Sequence, residues 1–514
     1  MNYPGRSRIA VALCSALLAL GAAADLALAQ PASAAKTVDE LRARIEAQLA
    51  QPRFRGALWG VKIVSLESGQ TLFEHHADRL MTPASNTKLY TSALALDQLG
   101  GDYRIVTPIL ATARPDTTGT VTGDVIVSGR GDPSWKSRGG SKDFWATFDP
   151  FVAALAKAGV RRVTGDLVAD ATWFHSLPNG SGWMVDDLNT EDGAEISALT
   201  LEANYVELRV TPSATVGQPC ALEVLQPHTG LVLDNRTVTG ATGTARRIRS
   251  QRIFGETVVH VFGELPVGDK MELLNLTVPR PAQWFATAVK EALARRGIRV
   301  DGTARSRRWP EATAVTATCV SLGEVSSPPL RDLLSALMKP SQNLETDLIF
   351  AHLGEILRPP AAPAWQSAEE SATAALQKFL RQNGLPADEV RIEEGSGLSQ
   401  YTLTTAQATV ALLKFMATHR ESAAFSNALP LAGVDGTLRR RLTGAPAEGN
   451  VRAKTGSLRW TKSLSGYVTS AAGERLSFSL MLNRDTAPPG RTGREELDDI
   501  AVLLAGLASR SVAP

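Results

Sequence analysis

The sequence predicts a mixed α/β (α+β) fold in which one antiparallel sheet, flanked by helices, is interrupted by a long β-rich insertion. Residues 59–80 have the pattern of two strands joined by a Ser-Gly turn. Residues 101–307 contain short strand patterns punctuated by Gly, Asp and Pro. The chain after 307 is mostly helical and ends in three strand patterns and a helix. The early hairpin and the late strands are therefore expected to share one sheet.

The N-terminus has the organisation of a secretory signal peptide. Arg6 and Arg8 precede an apolar run of residues 9–24, and small residues follow at Ala27 and Ala29. The alternative is a membrane anchor, for which the apolar run is short. We therefore expect cleavage of residues 1–29 and a periplasmic or secreted protein with no transmembrane anchor.

Composition excludes some classes of partner. The chain has 54 Lys+Arg against 52 Asp+Glu, which gives no general attraction to nucleic acid. After signal cleavage, Cys220 and Cys319 remain. They could pair in an oxidising compartment, but sequence does not show whether they are close. With 44% hydrophobic residues, the fold is expected to depend on its core.

A serine and a lysine stand three residues apart in "TPASNTKLY", residues 82–90. Pro83 suits a first helical turn, and apolar residues follow at helical spacing. Positions i and i+3 share one helix face, so Ser85 and Lys88 are expected to lie together at a helix N-terminus.

A Ser-x-x-Lys motif alone is weak evidence for a catalytic serine, and two further motifs make the evidence strong. "KPSQNLETD" supplies Ser341 and Asn343 at the start of another helix, and "RAKTGSL" supplies Lys454, Thr455 and Gly456 on a strand. The order Ser-x-x-Lys, Ser-x-Asn, Lys-Thr-Gly is that of the penicillin-interacting serine enzymes. No Gly-x-Ser-x-Gly elbow or His-Glu-x-x-His competes with it. No metal or cofactor is implied.

The first four residues of this set fit nucleophilic catalysis. A serine hydroxyl needs a base, and Lys88 can serve Ser85 only when neutral. A positive helix end and a second lysine across the cleft would both depress the pKa of Lys88. Ser341 is expected to relay the proton to the leaving amine. Asn343 is expected to hydrogen-bond the substrate amide.

The remaining residues fit substrate binding. Lys454 and Thr455 suit a terminal carboxylate, as a charge and a hydroxyl donor. Gly456 would let substrate backbone lie close to the strand. The backbone N–H groups of Ser85 and Ser457 are the expected oxyanion donors. This assignment requires Lys454 to keep its charge while Lys88 loses its own.

The chain resembles the class C low-molecular-mass penicillin-binding proteins, the D-alanyl-D-alanine carboxypeptidase/endopeptidases of the bacterial envelope. Besides the three motifs, "GRGDPS", "GDLVAD", "EGSGLSQYT" and "KTGSLRWTKSLSGYV" carry the resemblance. It implies a penicillin-binding/β-lactamase-like transpeptidase domain, a peptidoglycan peptide substrate, an acyl-enzyme on Ser85, and β-lactams as covalent inhibitors.

The resemblance also implies how the chain divides into domains. The catalytic domain is expected to comprise residues 36–100 and 308–514. A first inserted domain would comprise residues 101–200 and 266–307, and a second would comprise 201–265.

The sequence departs from the family pattern at two places. Glu394 stands before "GSGLS", where the family commonly has Asp, and Asp192 stands before Gly-Ala, where an aromatic residue is frequent. In relatives, the region of the acidic pair Asp186 and Asp187 helps to recognise the amino end of the peptide side chain. The pair is therefore a candidate substrate-binding site, and a solvated acidic loop is the alternative.

Two other functions stay open at this point. A β-lactamase-like hydrolase would share the acylation chemistry, although the long stretch between Ser85 and Ser341 argues against it. A non-catalytic wall-binding protein would not need the intact motif set. Acyl-enzyme lifetime with a penicillin separates the three.

Overall fold

The computed structural model describes residues 34–137, 143–444, 446–486 and 491–511. The predicted signal peptide, residues 1–29, lies outside the described residues. Within the described ranges, every helix is too short or too polar to cross a bilayer.

The helices occupy both ends of the described chain and are sparse in its middle. They are α1 Val38–Leu49, α2 Thr87–Leu99, α3 Asp149–Lys157, α4 Pro281–Arg295, α5 Leu330–Met338, α6 Asn343–Ile356, α7 Ala368–Gln382, α8 Ala406–Thr418, α9 Ser422–Ala428 and α10 Gly493–Ala505.

The strands are mostly short and concentrate between α2 and α5. They are β1 Leu58–Ser65, β2 Thr71–His75, β3 Val106–Ala111, β4 Thr120–Val121, β5 Val125–Ser128, β6 Arg162–Val163, β7 Leu167–Ala171, β8 Tyr205–Thr211, β9 Ala221–Val224, β10 Val232–Gly240, β11 Arg247–Arg252, β12 Val258–Pro266, β13 Glu272–Thr277, β14 Arg299–Val300, β15 Ala304–Arg308, β16 Val320–Ser326, β17 Val390–Arg391, β18 Leu403–Thr404, β19 Arg452–Leu458, β20 Thr461–Thr469 and β21 Arg475–Asn483.

The central sheet joins the two ends of the chain. Its strand order is β19-β20-β21-β1-β2, and every neighbouring pair is antiparallel. The expected pairing of the early hairpin with the late strands is confirmed. Residues alternate across the sheet along β21, where Phe478 and Leu480 belong to a core shared with α1 and α10.

The opposite face of this sheet carries small polar side chains. Ser465 and Ser479 lie opposite each other on β20 and β21, and their hydroxyls are 2.9 Å apart. The alternation "LSFSLML" thus gives one apolar face for α10 and one face that a polar turn can approach closely. The turn that begins the motif "SNTK" lies against this second face.

The insertion is built on a second five-stranded sheet of order β15-β7-β5-β3-β16. Its last strand, β16, lies beyond the expected boundary at 307. Val106 of β3 pairs with Ser326 of β16, so the insertion extends about twenty residues further than the sequence predicted. The boundary was wrong because β16, with its central Gly323, carries little of the apolar alternation that marks a strand.

Two three-stranded sheets, β13-β8-β9 and β10-β12-β11, form the outer part of the insertion. The predicted range 201–265 for this part ends too early, because Leu274 of β13 pairs with Leu208 of β8. No strand of the described insertion pairs with β19. Cys220 and Cys319 are both free thiols.

Helix α6 connects the insertion with the catalytic part. Leu344 and Leu348 pack into the core of the insertion, whereas Ile349 and Phe350 pack among α2, α5 and α7. Every residue of α6 from Asn343 to Gly354 is buried, the polar ones included. This burial fixes the position of its first residue, Asn343.

Candidate active site

The turn that carries Ser85 lies directly on the central sheet. Residues Ala84–Asn86 form a short 3₁₀ turn that leads into α2, so the expected helix start is present in a tighter form. The Asn86 side-chain amide donates to Ser465 Oγ at 2.6 Å. Ser463 Oγ donates to the carbonyl of Pro83 at 2.7 Å. The polar face of the sheet therefore holds this turn by hydrogen bonds on both sides of Ser85.

Gly456 makes that close packing possible. A Cβ at this position would lie 2.1 Å from Ser463 Oγ and 2.6 Å from the carbonyl oxygen of Pro83. Sequence reasoning assigned the glycine to substrate approach. The structure gives a different reason, since the missing side chain leaves room for the turn that presents Ser85.

Lys88 stands one helical turn behind Ser85 and is completely buried. Its Nζ donates to Ser85 Oγ at 3.1 Å, to Asn343 Oδ1 at 2.7 Å and to the carbonyl of Ser396 at 2.7 Å. Burial lowers the pKa of Lys88 to about 8, while Asp347, Glu394 and Asp192, described below, act in the opposite direction when they are ionised. A substantial fraction of Lys88 is therefore neutral at mildly alkaline pH.

Ser341 and Lys454 form a second serine–lysine pair. Ser341 precedes α6 with φ of 69°, a left-handed conformation that is costly for a residue with a side chain. Lys454 Nζ donates to Ser341 Oγ at 2.7 Å and to the carbonyl of Thr455 at 2.9 Å. Burial lowers the pKa of Lys454 well below its usual range, and the charge of Lys88 acts in the same direction. Burial and the charge of Lys88 thus both oppose the charge that the sequence analysis assigned to Lys454.

These groups line one cleft of about 450 Å³. Ser85, Ser341 and Asn343 form one wall, and Thr455 and Ser457 of β19 form the other. The two lysines lie behind the serines. The cleft is mainly polar, as a site for a charged peptide end requires.

The two acidic residues predicted for the rim have different surroundings. Asp187 borders the cleft and accepts a hydrogen bond from the Met184 N–H at 3.2 Å. Burial raises the pKa of Asp187 above its ordinary value, and the charge of Asp186 adds to this. Asp186 is exposed and pairs with Arg459 at 3.3 Å. Only Asp187 faces the space that a substrate would fill.

Sequence reasoning missed several residues of the cleft. Asp192 lines it and accepts from Asn343 Nδ2 through its backbone oxygen at 3.2 Å and its Oδ1 at 3.3 Å. Thr437 Oγ1 lies 2.8 Å from Thr455 Oγ1. Arg494 and Arg441 also line the cleft, and Arg441 pairs with Asp498 at 2.7 Å. The sequence analysis noted Asp192 only as a departure from the family pattern and did not single out Thr437, Arg441 or Arg494.

A protein-family comparison decides the relationship. The model of the D-Ala-D-Ala carboxypeptidase 3 (S13) family matches residues 41–504. The chain belongs to this family. The match includes all three motifs and both parts of the insertion, so the S13 relationship is not confined to the catalytic centre.

Individual relatives agree. The chain is 33% identical over 500 aligned residues to a D-alanyl-D-alanine carboxypeptidase of Actinomadura sp. (strain R39), covering 94% of this chain and 88% of the relative. It is 25% identical to the D-alanyl-D-alanine carboxypeptidase DacB of Haemophilus influenzae, covering 85% and 87%. Penicillin binding protein 4 from H. influenzae superposes with a TM-score of 0.76 at 25% identity, covering 89% of this chain and 97% of that structure. The predicted penicillin-binding fold and family are confirmed.

Proposed function

We propose that this member of the S13 family is a serine-type D-alanyl-D-alanine carboxypeptidase/endopeptidase acting on peptidoglycan peptides, with Ser85 as its nucleophile. One observation carries the assignment: Lys88 Nζ lies 3.1 Å from Ser85 Oγ, in a site where burial lowers the pKa of the lysine to about 8. A base of that strength beside a serine is what acylation near neutral pH needs.

In the first step, neutral Lys88 takes the proton of Ser85 as Oγ attacks the carbonyl carbon of the scissile D-Ala-D-Ala bond. Oγ forms a bond to that carbon, and the carbonyl oxygen gains the negative charge. The backbone N–H groups of Ser85 and Ser457 are the proposed donors to this oxygen. When the C–N bond breaks, the terminal D-alanine leaves as an amine that needs one proton.

The second serine is the proposed source of that proton. Ser341 Oγ accepts a hydrogen bond from Lys454, so its own hydrogen is free to point into the cleft. Transfer from Ser341 to the leaving nitrogen, with Lys454 restoring the proton, completes the acyl-enzyme. Water then hydrolyses the ester on Ser85.

Substrate position follows from the two walls of the cleft. The terminal carboxylate is proposed to contact Lys454 and the Thr455 hydroxyl, and its charge would favour the protonated form of Lys454. Asn343 Nδ2 donates to Asp192 in this structure, and it is the proposed donor to the substrate amide. Asp187 would face the amino end of the peptide side chain.

Penicillin binding and an envelope location belong to the same proposal. The H. influenzae protein has also been solved complexed with a β-lactam. That structure superposes with a TM-score of 0.71 at 23% identity, a likeness of fold. The N-terminal pattern of Arg6, Arg8 and an apolar run supports export to the periplasm or beyond.

Covalent labelling tests the proposal. Wild-type protein should be labelled by a fluorescent penicillin, and Ser85→Ala should lose the label while keeping its thermal unfolding transition. Ser68→Ala, at an exposed turn far from the cleft, is the matched serine control and should label normally. A long-lived acyl-enzyme distinguishes the peptidase from a β-lactamase-like hydrolase. Undiminished labelling of Ser85→Ala would disprove the assignment.

A further inference from the structure

Two carboxyl side chains are buried beside Lys88 and take no part in the mechanism above. Asp347 lies on α6, one turn after Asn343, and is 2% exposed. Glu394 lies in the loop between β17 and β18 and is 0% exposed. Burying two negative charges without compensation costs much free energy. The protonation state of each carboxyl group therefore has to be accounted for.

The Glu394 carboxylate is fully supplied with hydrogen-bond donors. Its Oε1 accepts from the N–H groups of Gly397 at 2.7 Å and Ser399 at 3.3 Å. Its Oε2 accepts from the N–H of Ser396 at 2.9 Å and from the hydroxyl of the same residue. Four donors are thus aimed at the two oxygens of Glu394, which is the hydrogen-bond environment of a carboxylate.

Asp347 has the opposite environment. Its Oδ1 accepts from the Ser396 N–H at 2.9 Å, which is the same N–H that Glu394 uses. Its Oδ2 is buried, and no donor in the described part of the chain reaches it. Burial raises the pKa of Asp347 well above its usual range, and the charge of Glu394 and a hydrogen bond between the two carboxyls act in the same direction. The charge of Lys88 and the hydrogen bond from Ser396 oppose this increase but are smaller. A proton on Asp347 removes the conflict.

One peptide group connects this pair to the lysine. The carbonyl of Ser396 accepts from Lys88 Nζ at 2.7 Å, and the N–H of Gly397, in the same peptide plane, donates to Glu394 Oε1 at 2.7 Å. The dipole of this peptide therefore points its negative end at Lys88 and its positive end at Glu394. Gly397 is required here, since a Cβ would lie 2.0 Å from the carbonyl oxygen of Ala84.

We infer that Asp347 and Glu394 act as a positioning pair in which Asp347 keeps one proton, Glu394 carries one negative charge, and the Ser396–Gly397 peptide passes the influence of that charge to Lys88. The inference rests on the proposed role of Lys88 as the base for Ser85. A single charge holds the lysine in place without fixing it in its protonated form. Two ionised carboxylates would raise the pKa of Lys88 and remove the base.

Other charged groups also face Lys88. Asp192 of the insertion favours its protonated form, and Lys454 on β19 disfavours it. Neither is altered in the test below, so their contributions cancel between variants. The two carboxyls of the pair can then be compared with each other.

The pH profile of acylation assigns the proton. In Asp347→Asn, a neutral amide replaces a neutral acid, so the rate constant of penicillin acylation should keep its wild-type pH midpoint. In Glu394→Gln, the pair loses its charge, and the midpoint should move to lower pH by about one unit or more. A shift of that size in Asp347→Asn, or an unmoved midpoint in Glu394→Gln, overturns the inference.

A conservative variant, Glu394→Asp, controls for a folding defect. Glu394→Asp keeps the charge and should retain the wild-type midpoint even where its maximal rate falls. A displaced midpoint in Glu394→Asp would contradict the inference. A role of Glu394 that is only structural would lower the rate in Glu394→Asp and Glu394→Gln alike, without a difference between their midpoints. Thermal unfolding of each variant identifies those that are folded.

Infrared difference spectroscopy tests the same proton without any reaction. The spectrum of wild type minus Asp347→Asn should contain the carbonyl band of a protonated carboxyl group, and its absence overturns the inference. If the wild type is not acylated by penicillin at any pH, the proposed function fails, whereas the infrared band still decides the protonation of Asp347.

Discussion

Lys454 Nζ donates to the hydroxyl of Ser341 across 2.7 Å, in the same cleft in which Lys88 Nζ donates to Ser85 across 3.1 Å. The site thus contains two serine–lysine pairs, one on each side of the position where the scissile bond would lie. Burial lowers the pKa of both lysines. The two pairs differ in their neighbours, because only Lys88 has carboxyl groups acting to restore its charge.

The rate of acylation should rise with pH through a midpoint near pH 8 and level off about one unit higher. The pKa of Lys88 is lowered to about 8, so the neutral base accounts for roughly one tenth of the enzyme at pH 7 and about half at pH 8. Because the reactive form is the deprotonated one, the rate falls as pH decreases. Stopped-flow acylation by a chromogenic cephalosporin between pH 5.5 and 9.5, values chosen to bracket that pKa by roughly two units, measures this. A rate that increases toward acid would contradict it.

Arginine at the two lysine positions should have unequal effects. Lys88→Arg removes the base, since guanidinium does not deprotonate near neutral pH, and should slow acylation by about 10²–10⁴-fold. Lys454→Arg keeps a cation for the substrate carboxylate and should cost less. The comparison is the acylation rate of both folded variants with one penicillin. Equal or reversed effects would show that the proposed division of roles is wrong.

Gly456→Ala should destabilise the protein and impair Ser85 together. The added methyl would lie 2.1 Å from Ser463 Oγ and 2.6 Å from the Pro83 carbonyl, and relieving such overlap costs about 1–3 kcal/mol. Gly56→Ala is the control, because a Cβ there meets nothing within 4 Å, and its effect should stay within about 0.5 kcal/mol. Denaturant unfolding and penicillin labelling of both variants check this. A stable, fully labelled Gly456→Ala protein would refute the packing role.

Asp187→Asn should weaken binding of peptides that carry a free amino group at the end of their side chain. Its carboxylate borders the cleft, whereas Asp186 is exposed and paired with Arg459. The KM for such a peptide should rise several-fold in Asp187→Asn, should rise less in Asp186→Asn, and should change little for the acetylated peptide. The measurement is steady-state release of D-alanine from both peptides. If acetylation leaves the difference between the variants unchanged, Asp187 does not recognise that amine.

The residues at the centre of the site could be identified from the sequence because their residue types and spacing match their chemistry. Ser85 and Lys88 are three residues apart on one turn, and helix geometry alone brings them together. Ser341, Asn343 and Lys454 were placed with them by a motif order that the family match supports. Their contacts could not be read in advance, because the 2.7 Å approach of Lys454 to Ser341 depends on a left-handed backbone at a residue that is not glycine.

Long-range packing explains what sequence reasoning missed. Asp192 reaches Asn343 from the insertion, and Thr437 reaches Thr455 from a loop, so neither contact leaves a local pattern. The limits of the insertion were misplaced for a similar reason. β16 is recognised as a strand through its pairing with β3, which lies more than two hundred residues earlier in the chain.

The same pairing means that the chain enters and leaves the insertion side by side. Val106 and Ser326 are cross-strand neighbours, so a few residues could bridge the two chain ends, which lie about 5 Å apart. A shortened chain of this kind would keep both serine–lysine pairs but lose Asp187 and Asp192 from the lining of the cleft. It would also expose Leu344 and Leu348 of α6, which pack into the core of the insertion. The insertion is thus joined to the rest of the chain through two neighbouring strands. Exchange of the insertion during evolution would change the peptide that is selected and leave the residues that break the bond unchanged.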